Sequence, residues 1–270
     1  MPSCETKSNR RSAKSSIWDG IWKQALFLIA LLTILETGSR LGLWSATLLP
    51  PPSVIGRVLW DMVGDRTLPV SLTHSLQLML VGYVSATLIG VPLGVMIHQV
   101  PWLRSTLGAA LLGLQTLPSV CWVPIALLWF GAGAEAVLFV VLGNSVFSIA
   151  TATAGALAQV PPLMVQAGQT LGARGWRLIL WVQLPSALPE IAAGMRIGWT
   201  FAWRALMAGE LLSPSRGLGR LLQQGRERGD IAEILATMLV IIAVGLLVEL
   251  AVFSRVDRHL RSKWGLAGAA

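Results

Sequence analysis

Arg196, Arg204 and Glu210 are ionised side chains that fall inside one long apolar run of this chain. A central arginine costs ~2.5–3.5 kcal/mol to insert into a bilayer, so it belongs against a bundle interior or a water-filled cavity. The chemistry open to it there is electrostatic, the steering of an anion. Arg196 and Arg204 are eight residues apart, about 80° around a helix of 3.6 residues per turn, and share one broad face. Arg204 and Glu210 lie on opposed faces and are poor partners within one helix. Arg204 therefore either lies beside the path of an anion or pairs with an acid on another helix, such as Glu249. Arg196 joins that path or extends to the nearer membrane interface. Asn144, Gln77, Gln115 and Ser148 are polar within other apolar runs, either lining a pathway or hydrogen-bonding between helices.

Bond-breaking chemistry has no support in the residues. The chain lacks paired intramembrane acids, a His-Glu-x-x-His run and a Ser/His constellation. Cys4 and Cys121 give no disulfide framework or metal spacing. His74, His98 and His259 are scattered. The phosphate-binding pattern Gly-x-x-x-x-Gly-Lys-Ser/Thr is missing, so ATP is not hydrolysed on this chain.

The elements that must position these residues are membrane helices. The 270 residues are 54% hydrophobic and 13% charged, with mean hydropathy +0.67, whereas a soluble domain carries about 25% charged residues. Six runs approach the ~20 residues that span a bilayer as helix. They are Ile17–Thr37, Leu72–Ile97, Thr106–Phe130 (interrupted by Pro118 and Pro124), Glu135–Leu157, Ala187–Leu212 and Ile231–Phe253. The first is too long for a signal peptide and lacks a closing small-x-small site. The fold class is thus all-α and polytopic. Residues 1–16 form a basic tail and 17–71 hold the first transmembrane helix and a periplasmic segment. A core of five transmembrane helices fills 72–253, and 254–270 form a second tail. Pro50-Pro51-Pro52 breaks the chain before an amphipathic stretch, Ser53–Met62.

Six spans put both termini on one side. That side carries Lys7, Arg10, Arg11, Lys14, Arg104, Arg174, Arg177, Arg255, Arg258, Arg261 and Lys263. The other side has Arg40, Arg57, Arg66, Arg216, Arg220, Arg226 and Arg228. The excess makes the first side cytoplasmic. The net charge of +8 follows from this distribution and from anionic headgroups, not from nucleic acid. Trp18, Trp22, Trp44, Trp102 and Trp264 fit interfacial belts. Gly82, Gly90, Gly94, Gly113, Gly194 and Gly198 permit close helix approach.

Between the fourth and fifth spans lies a helix-forming insert on the cytoplasmic side. Pro161-Pro162 opens a first helix, Leu163–Leu171, and Gly172 is a natural stop. A second helix, Arg174–Trp181, is expected to end at Pro185. Leu163, Leu171, Trp176 and Ile179 would make an apolar knob, either a docking surface for a soluble partner or an interfacial link between two spans.

The insert resembles the EAA loop of bacterial ATP-binding cassette importer permeases. That pattern is Glu-Ala-Ala, three residues, Gly, nine residues, Ile, any residue, Leu-Pro. Here Gln166, Ala167, Gly168, Gly172, Val182, Leu184 and Pro185 take its positions, with Gln for Glu, Gly for the second Ala and Val for Ile. Val123-Pro124-Ile125, Leu128-Trp129-Phe130-Gly131, Gly194-Met195-Arg196, Ala208-Gly209-Glu210 and Gly217-Leu218-Gly219 are similar to the nitrate/sulfonate/taurine subgroup. The resemblance implies a type I importer permease fold in a bacterial inner membrane. It implies a permease homodimer, two ATPase subunits that use ATP and Mg, and a periplasmic or lipid-anchored binding protein. No cofactor is bound by this chain on that reading. The cargo would be a small anion such as an aliphatic sulfonate, taurine or nitrate, moved by alternating access. An ATP-independent channel or secondary transporter is the competing reading, though it leaves the insert unexplained and no inverted repeat of broken helices is evident. A membrane-embedded enzyme is further off.

Overall fold

The structure, a computed structural model, describes residues 22–23, 26–45 and 48–263, and every regular element among them is helical. Lys7, Arg10, Arg11, Lys14, Cys4, Trp18 and Trp264 lie outside the described residues, as does all of the basic tail expected over 1–16. The helices are α1 (26–40), α2 (Pro52–Gly64), α3 (Thr67–Gln99), α4 (Pro101–Gln115), α5 (Ser119–Phe130) and α6 (Ala134–Ala158). They continue with α7 (Pro162–Thr170), α8 (Trp176–Leu212), α9 (Leu218–Arg228) and α10 (Ile231–Leu260). Four of them, α3, α6, α8 and α10, are long and apolar enough to cross a membrane, and α4 with α5 makes a fifth crossing if taken together.

Helix α6 is the centre. In its most apolar 18-residue window 61% of residues are buried, against 28% for α3 and less for α8 and α10. Both neighbours approach it through glycines. A Cβ on Gly82 would lie 2.7 Å from Val141, one on Gly90 3.0 Å from Ile149, and one on Gly94 2.5 Å from the Ala150 carbonyl. Numbers rise together along this seam, so α3 and α6 are parallel. On the other side Gly194 meets Ala152, Gly198 meets Ile149 and Gly209 meets Val137. Here they run in opposite order, so α8 is antiparallel to α6. Gly113 alone of the six expected close-approach glycines faces open space.

Parallel α3 and α6 require the chain to cross back between them. Helices α4 and α5 do this as one broken span, bent by 103°. Leu103 and Leu107 pack beside Ile97 at the C-terminal end of α3, the end nearer the insert and here termed inner. After α5, the Gly133 carbonyl lies 3.5 Å from the Ser213 hydroxyl at the far end of α8. The third span expected over Thr106–Phe130 carries its interruption at one of the two prolines that mark it. The break falls at Thr116–Pro118, whereas Pro124 sits in the first turn of a helical segment, where its missing N–H costs nothing.

The connection between the expected runs Ala187–Leu212 and Ile231–Phe253 contains α9. Its apolar side, Leu218 and Leu221, joins Met62, Leu68 and Ala236 in a small core that holds α2, α9 and α10 to the outer end of the bundle. Asp230 then starts α10, its carboxylate accepting the Glu233 N–H at 3.1 Å.

One buried polar knot ties α3, α8 and α9. Ser75 Oγ lies 2.7 and 2.8 Å from the two Glu210 carboxylate oxygens and donates to them. The same hydroxyl accepts the Leu218 N–H at 2.9 Å. Glu210 also accepts the Gly219 N–H at 2.9 Å, so a side chain from the last turn of α8 caps α9. Glycine is required at 217 and 219 because a side chain there would run into Glu210.

Gly94→Ala forces a methyl against a backbone carbonyl and should destabilise the bundle by ~1–3 kcal/mol. Gly113→Ala should be neutral, and denaturation midpoints in detergent micelles compare the two. Glu210→Ala leaves the Gly219 N–H and the Ser75 hydroxyl without their acceptor and should cost ~1–3 kcal/mol in the same assay.

Candidate functional site

The insert begins with α7, opened by Pro161 and Pro162 as expected. It ends in a glycine-centred reversal. Gly172 has φ +90, a conformation that favours glycine. The Ala173 N–H bonds the Gly168 carbonyl and the Gly172 N–H bonds the Gln169 carbonyl, both at 3.0 Å. Together these bonds satisfy carbonyls that α7 would otherwise leave free.

The second half of the insert differs from expectation. Proline 185 does not end a helix there, because α8 runs unbroken from Trp176 to Leu212. Its Ile179–Gln183 segment is a wide π turn. Proline removes a backbone donor and collides with the carbonyl four residues earlier; a π turn directly before Pro185 relieves that collision. The second half of the insert and the arginine-bearing span are thus one helix of 37 residues.

The two halves close on each other at Gly168. It is buried, and a Cβ there would lie 2.8 Å from Val182 and 3.0 Å from Leu178. The motif positions Gly168 and Val182 are therefore in mutual contact, with the glycine letting α7 seat on α8. Gln99 of α3 donates to Gln183 at 3.3 Å and ties the insert to the inner end of the bundle. Leu163 (76% exposed), Leu171 (89%), Trp176 (62%) and Trp181 (77%) project outward. Gln166 and Ala167 are also exposed, Leu184 and Pro185 half-buried. Arg177 stacks over the Trp176 ring at 5.8 Å.

The four expected pathway residues separate. Arg196 pairs with Glu249 of α10. Glu249 had been the alternative partner for Arg204, and the helix register explains the exchange. Trp203 of α8 faces Gly245 of the antiparallel α10, so Glu249, one turn further, falls opposite the turn that bears Arg196. Arg204 remains exposed and has no hydrogen-bond or ion-pair partner among the described residues. It ends a stripe of exposed positions along α8: Glu190, Ala193, Ile197, Thr200 and Arg204. Three of these five are polar at membrane depth, so this face is not built for lipid.

Glu210 does not join that face. It is fully buried, and its carboxylate is occupied by the knot with Ser75 and Gly219. Asn144 is 7% exposed and donates to the Val140 carbonyl at 2.9 Å. It borders a cavity of about 220 Å³ walled mostly by apolar groups, among them Trp122, Phe139 and Phe147. Ser75 was the residue with most consequence that sequence patterning left unassigned; its signal was a hydroxyl at the polar start of an otherwise apolar span. Gln115 bonds Thr151 at 2.7 Å, an interhelical bond as expected.

Comparison with known proteins agrees with this geometry. The chain is 31% identical over 228 residues to the taurine transport system permease protein TauC of Escherichia coli, covering 83% of each chain. It is 28% identical over 233 residues to the riboflavin transport system permease protein RibX of Chloroflexus aurantiacus, covering 83% of this chain and 87% of that one. A chain of the MetNI methionine ABC transporter, in an inward-facing conformation, superposes with a TM-score of 0.65 at 20% identity, over 73% of this chain and 97% of that one. Residues 86–264 match the family described as binding-protein-dependent transport system inner membrane component, and the chain belongs to that family.

Proposed function

We propose that two copies of this chain form the membrane pathway of an ATP-driven importer for a small anion: taurine, an aliphatic sulfonate or nitrate. The observation that carries this reading is the single helix from Trp176 to Leu212, which joins an exposed apolar knob to an unpaired arginine at membrane depth. At 1.5 Å per residue that helix is about 55 Å long. A displacement imposed on the knob moves Arg204 without passing through a hinge.

The insert side is cytoplasmic, in a bacterial inner membrane, with both termini on that side. Two ATPase subunits, which use ATP and Mg, dock on the knobs. Gln166, Ala167, Gly168, Gly172, Val182, Leu184 and Pro185 shape the docking element. Because Gln166 carries no charge, docking rests on shape and on Leu163, Leu171 and Trp176. A periplasmic or lipid-anchored binding protein delivers cargo at the opposite face. ATP binding and hydrolysis favour one or the other arrangement of the two knobs, and differential affinity for the two states shifts the bundle between outward- and inward-facing forms. The polar stripe ending at Arg204 faces its counterpart or the pathway between two chains. The guanidinium there offsets the cost of an anion leaving water. Arg196, neutralised by Glu249, sets the packing of α8 on α10 instead of meeting cargo.

Gly172→Val strains the reversal, and Leu171→Glu charges the knob. Each should reduce co-purifying ATPase about tenfold or more, equivalent to ~1.4 kcal/mol of docking energy. Gln166→Glu should leave docking and uptake largely intact. Uptake in liposomes without ATPase or binding protein would instead identify a channel or secondary transporter.

Arg204→Gln should lower ATP-driven uptake of taurine and nitrate about tenfold or more while ATPase co-purification is retained. Proteoliposomes supplied with labelled taurine, ethanesulfonate, nitrate and riboflavin in parallel decide the cargo. Transport of riboflavin alone would overturn the anion reading.

A further inference from the structure

A second basic feature lies at the outer end of α3, apart from Arg204. A cleft of about 520 Å³ is walled by Arg66, Thr73, His74 and Gln77 on one side and by Arg216 on the other. That size suits a small-molecule site. No carboxylate lines it. The nearby acids Asp61 and Asp65 instead line a separate cleft with Arg228 and Glu233. Neither the Arg66 nor the Arg216 side chain has a partner among the described residues. The buried Nδ1 of His74 is also without one.

Two features show that the cleft is built. Arg66 is the one non-glycine among the described residues with positive φ, at 59°. A β-carbon makes that conformation unfavourable, and such outliers gather where a side chain must be held in place. The opposite wall is fixed by the knot. Ser75, next to His74, accepts the Leu218 N–H and binds Glu210, which locks the chain just beyond Arg216 against α3. The two walls therefore cannot drift apart without breaking a buried network.

We infer that this cleft is an oxyanion-binding site at the outer mouth of the permease, which takes the anionic head of the cargo before it reaches the membrane-depth arginine. The inference rests on the anion reading for cargo identity but not for binding chemistry. Two guanidiniums offer forked donors that match sulfonate, nitrate or carboxylate oxygens. Gln77 adds a neutral amide donor, whereas the Thr73 hydroxyl already donates to the Pro69 carbonyl at 2.8 Å.

The test is equilibrium dialysis of radiolabelled methanesulfonate against the purified permease–ATPase complex in phosphatidylcholine nanodiscs, without binding protein. Saturable binding is expected, weakened ~10-fold or more by Arg66→Gln with Arg216→Gln. Both arginines are exposed and unpaired, so the variant should assemble normally, as ATPase co-purification will report. Arg57→Gln, on α2 outside the cleft, should leave binding unchanged. Absent binding, or binding indifferent to the paired substitution, overturns the site. Displacement by added phosphatidylglycerol would assign the cleft to lipid headgroups and also overturn it. If the cargo proves to be riboflavin, the anion reading fails, yet methanesulfonate binding still decides the cleft.

Discussion

The close approach of three backbones along α6 is the constraint on which the rest of the molecule depends. Lipid tails are as apolar as leucine, so helices in a bilayer gain little from burying leucine against leucine. What holds them is contact at short range. Gly82, Gly90 and Gly94 bring α3 onto α6, and Gly194, Gly198 and Gly209 bring α8 onto its other side. Ile149 of α6 touches both seams, at Gly90 and at Gly198. Three helices so joined behave as one block. Because α3 and α6 are parallel within it, the intervening α4–α5 must cross the same thickness in a bent path. The return crossing is thus a consequence of topology, and its break falls beside Pro118.

Two features extend that block to its ends. At the outer end the Ser75–Glu210 knot fixes α9 to α3 and α8. At the inner end α8 projects beyond the bundle as the insert, clasped by α7 at Gly168 and by Gln99 of α3. A buried carboxylate stripped of its partners would be strongly unfavourable, so the outer end holds its shape. The inner end is held by the exposed Gln99–Gln183 hydrogen bond and by apolar packing of Leu184, Ala187 and Ile191 on Ala156 and Leu157, with no buried polar knot like that at the outer end. Motion imposed by a partner is therefore taken up at the insert side first, and the stiff α8 carries it outward.

Much of this was legible in the sequence, and what was not has specific causes. Apolar runs marked the core helices because bilayer length is a strong constraint, yet α3 begins at Thr67 where the run begins at Leu72. Hydropathy sees the lipid-facing turns and misses a polar outer turn. The insert's first helix and its glycine stop were legible because the prolines and Gly172 act locally. Its second half was not, since the rule that proline ends a helix assumes a regular α turn and the π turn before Pro185 suspends it. Helix α9 was hidden in a basic loop because its start is capped by Glu210, a residue of another helix. The pathway residues fared least well. Glu210, Asn144 and Arg196 each have the composition of a pathway group, and only packing reveals that all three are already engaged.

The fate of the two intramembrane arginines shows what a single chain can and cannot satisfy. Arg196 and Arg204 lie on the same helix, but α10 offers its one deep acid, Glu249, to only one of them. The antiparallel register decides which: Gly245 packs on Trp203, and the carboxylate one turn later reaches Arg196. An acid at the height of Arg204 would have to stand at or near position 245, where α10 has glycine. In this bundle α10 therefore neutralises Arg196 and leaves Arg204 without a counter-charge. The exposed polar stripe that ends at Arg204 must find its counter-charge or its water outside the chain, which leaves the single chain electrostatically incomplete along that face of α8.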